Sequence, residues 1–279
     1  MQSHVAFAAR PGEHACCRFA SAEDRRLLTI ALVRDAVRRH NKIVYLCPDG
    51  VDDAIASLAR LDDIVMEALQ SGQMEVRPAH PAHLPDCVFD AERMLVSLRG
   101  EHERARSEGY AGLSITGDMS WALANPAGHE ALGEYEQALS SVYRDAEPVL
   151  VCQYDHSQGR PGSISHLLAV DDVDFSPELA PLARQDQFSA ARVMPEGTLR
   201  LVGELDFGCA PALADVLAAH FHGQLRLDLG DLTYVDVTGM RALRGRKGQP
   251  LRITAASDQV RRLAELLAWD TDPGVEVPA

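Results

Sequence analysis

The sequence has no apolar run long enough to cross a bilayer. Its longest, such as residues 149–152, are strand-sized against the roughly 20 residues a spanning helix needs. Residues 1–12 lack a basic stretch followed by a long apolar one, so no secretory signal is visible and a cytoplasmic location is expected. Aromatic residues are only 5% of the chain, which leaves the core to Ala, Leu, Val and Ile. Positive charge is scarce too: 27 Lys and Arg stand against 41 Asp and Glu, a formal net charge of −14. The basic runs (Arg25-Arg26, Arg38-Arg39 and residues 241–247) are short, and acidic residues surround most of them. Direct nucleic-acid binding, which calls for a basic patch, is disfavoured. There is no Gly-x-Ser-x-Gly elbow for a serine nucleophile. The segment before the first helix, Gly12-Glu13-His14-Ala15-Cys16-Cys17, reads as a loop without the glycine spacing or the Gly-Lys-Ser/Thr ending of a phosphate loop. ATP hydrolysis by the usual route is therefore not expected, and the chain is read as a non-enzyme. Six cysteines (Cys16, Cys17, Cys47, Cys87, Cys152 and Cys209) are spread along it, and in a cytoplasmic protein their default state is the reduced thiol.

What is present suits two domains of ordinary globular make-up: 279 residues, 46% apolar and 24% charged. Ser21-Ala22-Glu23-Asp24 reads as a capping box opening a helix with Leu27, Ile30, Val33 and Val37 at steps of three and four. Residues 43–47 are a β-rich run stopped by Pro48-Asp49-Gly50; a helix follows over 51–69 and a strand over 74–77. Helices at 90–107 and 129–144 then alternate with strands at 113–116 and 149–152. Helices of this length between strands imply crossover connections and a mostly parallel sheet spanning residues 1–170. Residues 171–192 read as a linker, acidic over 171–187 and carrying Pro177 and Pro181. Residues 193–279 read as a second, smaller α/β domain, with strands at 199–202, 225–229, 251–253 and 275–277 and helices at 210–220 and 257–267.

Two stretches of the second domain resemble the STAS family. Gly203-Glu204-Leu205-Asp206 with Ala210-Pro211-Ala212-Leu213 is similar to its strand-to-helix opening. Residues 228–240, ending Asp236-Val237-Thr238-Gly239-Met240, are similar to its central turn. The resemblance implies an anti-sigma factor antagonist, whose partner is an anti-sigma factor of the serine-kinase type or a related signalling protein. In that family the serine directly after the aspartate is phosphorylated, and this ends partner binding. Here that position is Val237, which has no hydroxyl, and Thr238 follows it. Thr238 reads either as a plain helix N-cap or as a displaced phosphosite beside Asp236.

The first domain resembles MEDS domains, the sensory region of a dichloromethane-responsive regulator and its methanogen relatives. The residues that carry this are His14-Ala15-Cys16-Cys17-Arg18-Phe19, residues 43–47, Gly117-Asp118-Met119-Ser120-Trp121, Glu134-Tyr135-Glu136 and Val151-Cys152-Gln153-Tyr154-Asp155. The resemblance implies a RecA- or KaiC-like α/β core and a sensory role; it names no cofactor.

Ligands of open parallel sheets bind beyond the carboxyl ends of the strands. That expectation gathers His14, Cys17, Cys47, Asp118, Trp121, Cys152 and Tyr154 toward one crevice. Three sharp readings are a metal, a bound small molecule and thiol redox sensing; the bland one is that the cysteines pack in the sheet. No metal is assigned, because His14-x-x-Cys17 is only half a zinc site. His80, His83, His220 and His222 read as solvated or helix-end residues. The leading expectation is a signalling regulator in which a sensory domain controls a STAS domain. The alternative is a small-molecule or nucleotide-binding protein, even a weak enzyme, with STAS as scaffold. A third reading is a scaffold that self-assembles.

Overall fold

The computed structural model describes residues 9–48, 50–79, 88–121, 131–142, 148–155, 173–183, 188–193, 196–245 and 248–278. His80, His83, Cys87, the ends of the expected 129–144 helix and residues 246–247 lie outside the described residues. Two compact units divide between Asp174 and Phe175.

The first unit is built on strands β1 (His14–Phe19), β2 (Lys42–Cys47), β3 (Met74–Pro78), β4 (Leu113–Asp118) and β5 (Val149–Asp155). Their spatial order is β3-β2-β4-β5-β1, with every neighbouring pair parallel. Helices α1 (Ala22–Arg38), α2 (Val51–Ala59), α3 (Ile64–Gln70), α4 (Ala91–Ser107) and α5 (Leu132–Val142) make the crossovers. Helices on both faces bury the strands on both sides, which is why β2 is buried at every position. Ser21 opens α1 as expected, its Oγ accepting from the Asp24 N–H at 3.1 Å. Asp90 opens α4 in the same way through the Arg93 N–H at 3.0 Å.

Three local expectations are corrected. Residues 14–17 are strand, not loop: β1 is buried at every position but Arg18, and a run so apolar completes the sheet beside β5. The expected helix over 51–69 is two helices, because Asp62 turns back to accept from the Ile64 N–H at 3.0 Å and pairs with Arg34. The described part of the expected 171–192 linker holds β6 (Val173–Phe175), helical turns at Pro177–Leu179 and Ala180–Ala183, and β7 (Phe188–Val193). Its acidic character is partly a matter of pairing: Asp174 is buried and takes the Arg18 guanidinium at 2.7 Å.

The second unit adds β8 (Thr198–Leu205), α6 (Ala210–His220), β9 (Leu225–Val235), α7 (Val237–Leu243), β10 (Leu251–Ala256), α8 (Asp258–Leu266) and β11 (Val275–Glu276). Strands run β7-β8-β9-β10-β11, antiparallel between β7 and β8 and parallel elsewhere. Leu199, Leu201, Leu205, Leu213, Leu217, Leu227, Leu229, Met240 and Val260 are fully buried in one apolar core. The fold class is the expected one: a parallel-sheet α/β unit followed by a smaller α/β unit. Among the described residues no helix is long and apolar enough to cross a membrane.

At the amino-terminal edge of the first sheet an ionic network ties β2 and β3 to α4. Glu75 takes Arg104 at 2.8 Å, Arg77 at 2.5 Å and Lys42 at 3.0 Å, while Glu101 takes Arg104 at 2.6 Å and Arg77 at 2.8 Å. The Arg104 hydrogen bond, helped by Arg77 and Lys42, holds the Glu75 carboxyl far below the usual carboxylate range. Burial works against ionisation of Glu101, but Arg77 and Arg104 together still hold it low. A depressed folded-state pKa stabilises the fold above the ordinary value of 4.5 and loses that contribution as pH falls through the folded value. Thermal midpoints should therefore drop steeply below pH about 4.5, and Glu75→Gln should flatten that slope. An unchanged acid slope in the variant would remove the network as its cause.

Candidate functional site

The pairing of β1 with β5 decides where the reactive side chains go. Cys16 sits opposite Cys152 and Cys17 opposite Gln153, and β4 sets Asp118 beside Gln153. Side chains alternate along a strand, so the predicted residues divide between the two faces of the sheet. His14, Cys16, Cys152 and Tyr154 fall on the side covered by α4 and α5; Cys17 and Asp118 fall on the side covered by α1. The single crevice expected from the sequence is therefore two separate environments. His14 and Cys17, three residues apart on a strand, point to opposite faces and cannot share an ion.

On the α5 side four polar side chains meet in an apolar setting. His14 Nε2 lies 3.1 Å from Glu136 Oε2 and 3.3 Å from Cys152 Sγ. The Tyr154 hydroxyl donates to Glu136 Oε1 at 2.5 Å. All four are buried: His14, Glu136 and Tyr154 are 1% exposed and Cys152 is 8%. Burial, then the Glu136 carboxylate, pushes the Tyr154 phenol well above its ordinary pKa and keeps it a donor. Cys152 also borders a cavity of about 30 Å³, lined by Leu46, Met94, Ile115, Tyr135 and Leu139 among others. That is room for water-sized ligands, not for a nucleotide. Trp121 sits farther out, tilted against Phe89 at 5.3 Å.

Glu136 belongs to the Glu134-Tyr135-Glu136 stretch that carries the MEDS resemblance but was not among the expected site residues, although a signal was there. Leu132, Tyr135 and Leu139 mark the buried stripe of α5 at spacings of three and four, and Glu136 lies on that stripe. A carboxylate on an apolar helical stripe needs a partner inside the protein.

The α1 side is ion-paired packing. Asp118 accepts from Arg25 at 3.2 Å and from the Ser120 N–H at 2.8 Å, and Gln153 donates to Thr29 at 3.0 Å. Burial, followed by Asp174 and Asp24, pushes the Cys17 thiol far above its usual pKa. Cys47 ends β2, 1% exposed. Where a phosphate loop would lie, only Ala20 and Ser21 join β1 to α1, and Ser21 and Asp24 cap that helix.

In the second unit the turn between β9 and α7 is fixed by Asp236. Its side chain accepts from the Gly239 N–H at 2.7 Å and from the Phe207 N–H at 3.0 Å. The N-cap is thus Asp236 and not Thr238, which lies exposed one position past the exposed Val237. A Cβ on Gly239 would sit 2.4 Å from the Leu205 carbonyl oxygen, so only glycine lets α7 pack this closely on β8. Gly245, at φ 57°, ends α7 after seven residues.

A family model described as MEDS, the methanogen/methylotroph DcmR sensory domain, matches residues 13–171, more than half of the chain. The chain belongs to the MEDS family. A second model, the Mlab-type STAS domain, matches residues 189–277, so this MEDS domain is followed by a STAS domain. No curated protein matches the chain. Among solved structures, flagellar accessory protein FlaH from Methanocaldococcus jannaschii is similar at 12% identity and a TM-score of 0.44, over 66% of this chain and 79% of that one. A KaiC-like protein from Pyrococcus horikoshii OT3 is similar at 7% identity and a TM-score of 0.42, with the same coverage.

Two outcomes follow for the MEDS and STAS units. Gly239→Ala should destabilise the STAS domain by about 1–3 kcal/mol through overpacking against Leu205, measured by denaturant unfolding; a neutral effect would refute the close approach. The described cysteines are all buried, and Cys209 is pushed up to about 11, chiefly by burial. In a Cys87→Ser background the folded protein should therefore leave its five remaining thiols unmodified by a thiol reagent at neutral pH and expose them only on unfolding. Rapid labelling of Cys17 or Cys152 in the folded state would restore thiol redox sensing.

Proposed function

We propose that this protein is a two-domain signalling regulator. Its MEDS domain receives a cue and governs a STAS domain that docks an anti-sigma factor of the serine-kinase type or a related signalling protein. The observation that carries the docking role is the surface round the Asp236 turn. Phe207 is 73% exposed, Tyr234 43% and Val237 41%, three large apolar side chains beside one capped turn. An exposed aromatic and aliphatic group of this kind is characteristic of interaction sites. The STAS match over residues 189–277 supports the partner class. Val237 at the family's serine position removes the usual phosphoacceptor, which favours control from the MEDS domain, with exposed Thr238 as a reserve site. Neither unit is read as catalytic. The two-residue connection from β1 to α1 supports this on the MEDS side.

The test is pull-down of candidate anti-sigma kinases by the full chain. Binding is expected from the wild type, and Phe207→Ala combined with Val237→Asp should abolish it while the melting profile stays unchanged. If the folded wild type captures none of them, the partner class is wrong. If the double variant binds as well as wild type, the surface is wrong.

A further inference from the structure

His14, Glu136 and Cys152 bring an imidazole, a carboxylate and a thiol together in a buried setting. We propose that it is a site for one zinc-class divalent ion, held by His14 Nε2, Glu136 Oε2 and Cys152 Sγ. The three donor atoms lie within 4.8 Å of one another, all on buried residues. Bond lengths of about 2.0–2.3 Å at tetrahedral angles put donors about 3.3–3.7 Å apart. The observed 3.1 Å and 3.3 Å from His14 Nε2 need only a small expansion to admit an ion.

The donor set argues for a metal over a plain ion pair. Glu136 Oε2 is buried and accepts no hydrogen bond among the described residues, although His14 Nε2 is 3.1 Å away. A single imidazole nitrogen faces both this oxygen and the Cys152 sulfur, and one N–H cannot serve both. An ion between the three satisfies all of them at once. The other carboxylate oxygen, Oε1, is already fixed by the Tyr154 hydroxyl, an outer partner that orients a ligating carboxylate. Charge closes as well: a thiolate, a carboxylate and a neutral imidazole balance a dication in a buried setting, and binding releases the Cys152 proton to solvent. Imidazole, carboxylate and thiolate together select a borderline ion such as zinc over magnesium or calcium. Three protein ligands leave one position open, and Cys152 borders the adjoining cavity, so that position takes a water-sized ligand.

The test uses the full chain, stripped of metal with a chelator and titrated with Co²⁺ alone. One equivalent should bind and develop a thiolate-to-cobalt charge-transfer band. Cys152→Ser should lose that band, and His14→Gln should weaken binding. Tyr154→Phe, which keeps all three ligands, should weaken it by about 10-fold or more. Cys17→Ser, on the opposite face of the sheet, should change nothing. Should Cys152→Ser fail to fold, zinc-edge X-ray absorption of the wild type decides, and a shell containing one sulfur is expected. No uptake by folded wild type, a band that survives in Cys152→Ser, or a sulfur-free shell would leave a buried ion pair only. This assay is independent of the anti-sigma pull-down, so either proposal fails without the other.

Discussion

The parallel pairing of β1 with β5 is the constraint on which the MEDS domain turns. Once Cys16 stands opposite Cys152, the alternation of side chains commits every other residue of both strands to a face. A slip of one residue would exchange the faces, carrying Cys17 toward α5 and burying His14 against α1. Glu136 opposes such a slip. Glu136 has Tyr154 of β5 on one oxygen and His14 of β1 beside the other, so a slip of either strand removes one of its two neighbours and leaves the buried carboxylate less compensated. The polar cluster therefore specifies the register of the sheet that presents it. Apolar packing alone, with Val44, Leu46 and Ile115 on the same face, specifies register less sharply.

The STAS domain rests on a different device, the close approach of backbone to backbone. Asp236 takes two N–H groups, one from its own helix and one from the loop after β8, and so joins the ends of two parallel strands. Gly239 then lets α7 lie against the Leu205 carbonyl. The aspartate and glycine of the central motif are thereby explained as cap and contact, independent of any switch. The two positions between them, Val237 and Thr238, are the exposed ones, and only these are free to differ without disturbing the fold.

Strand and helix alternation was legible because each element carries its own period. The β2 and β5 runs and the Ser21 cap all depend on neighbours in sequence, whereas the Asp236 turn also draws on Phe207, 29 residues away, and its cap is Asp236 where the sequence suggested Thr238. The site was legible only in part, because its geometry depends on neighbours across strands. His14, Cys152 and Tyr154 were recognisable as reactive side chains, but nothing local says that Cys17 faces the other way until residues 14–19 are known to be strand. Reading that segment as a loop hid the alternation. Glu136 was hidden by the habit of scanning a helix for its apolar members, whereas the informative residue on a buried stripe is the charged one. The elements inside the expected linker were missed for a related reason: Asp174 looks like solvated acid until Arg18 is placed beside it, 156 positions away in sequence.

The Asp236 turn also bears on how the STAS domain is governed. The Gly239 N–H at the start of α7 is already committed to the Asp236 carboxylate, and α7 itself has only seven residues with which to build a dipole. A phosphate at Thr238 would enter beside that carboxylate, where like charge opposes it. With valine at the preceding position, the turn offers little for phosphorylation to act on. This is why the proposed control is placed on the MEDS domain. There His14, Glu136, Cys152 and Tyr154 are buried side by side, and their geometry is tied to the register of the sheet.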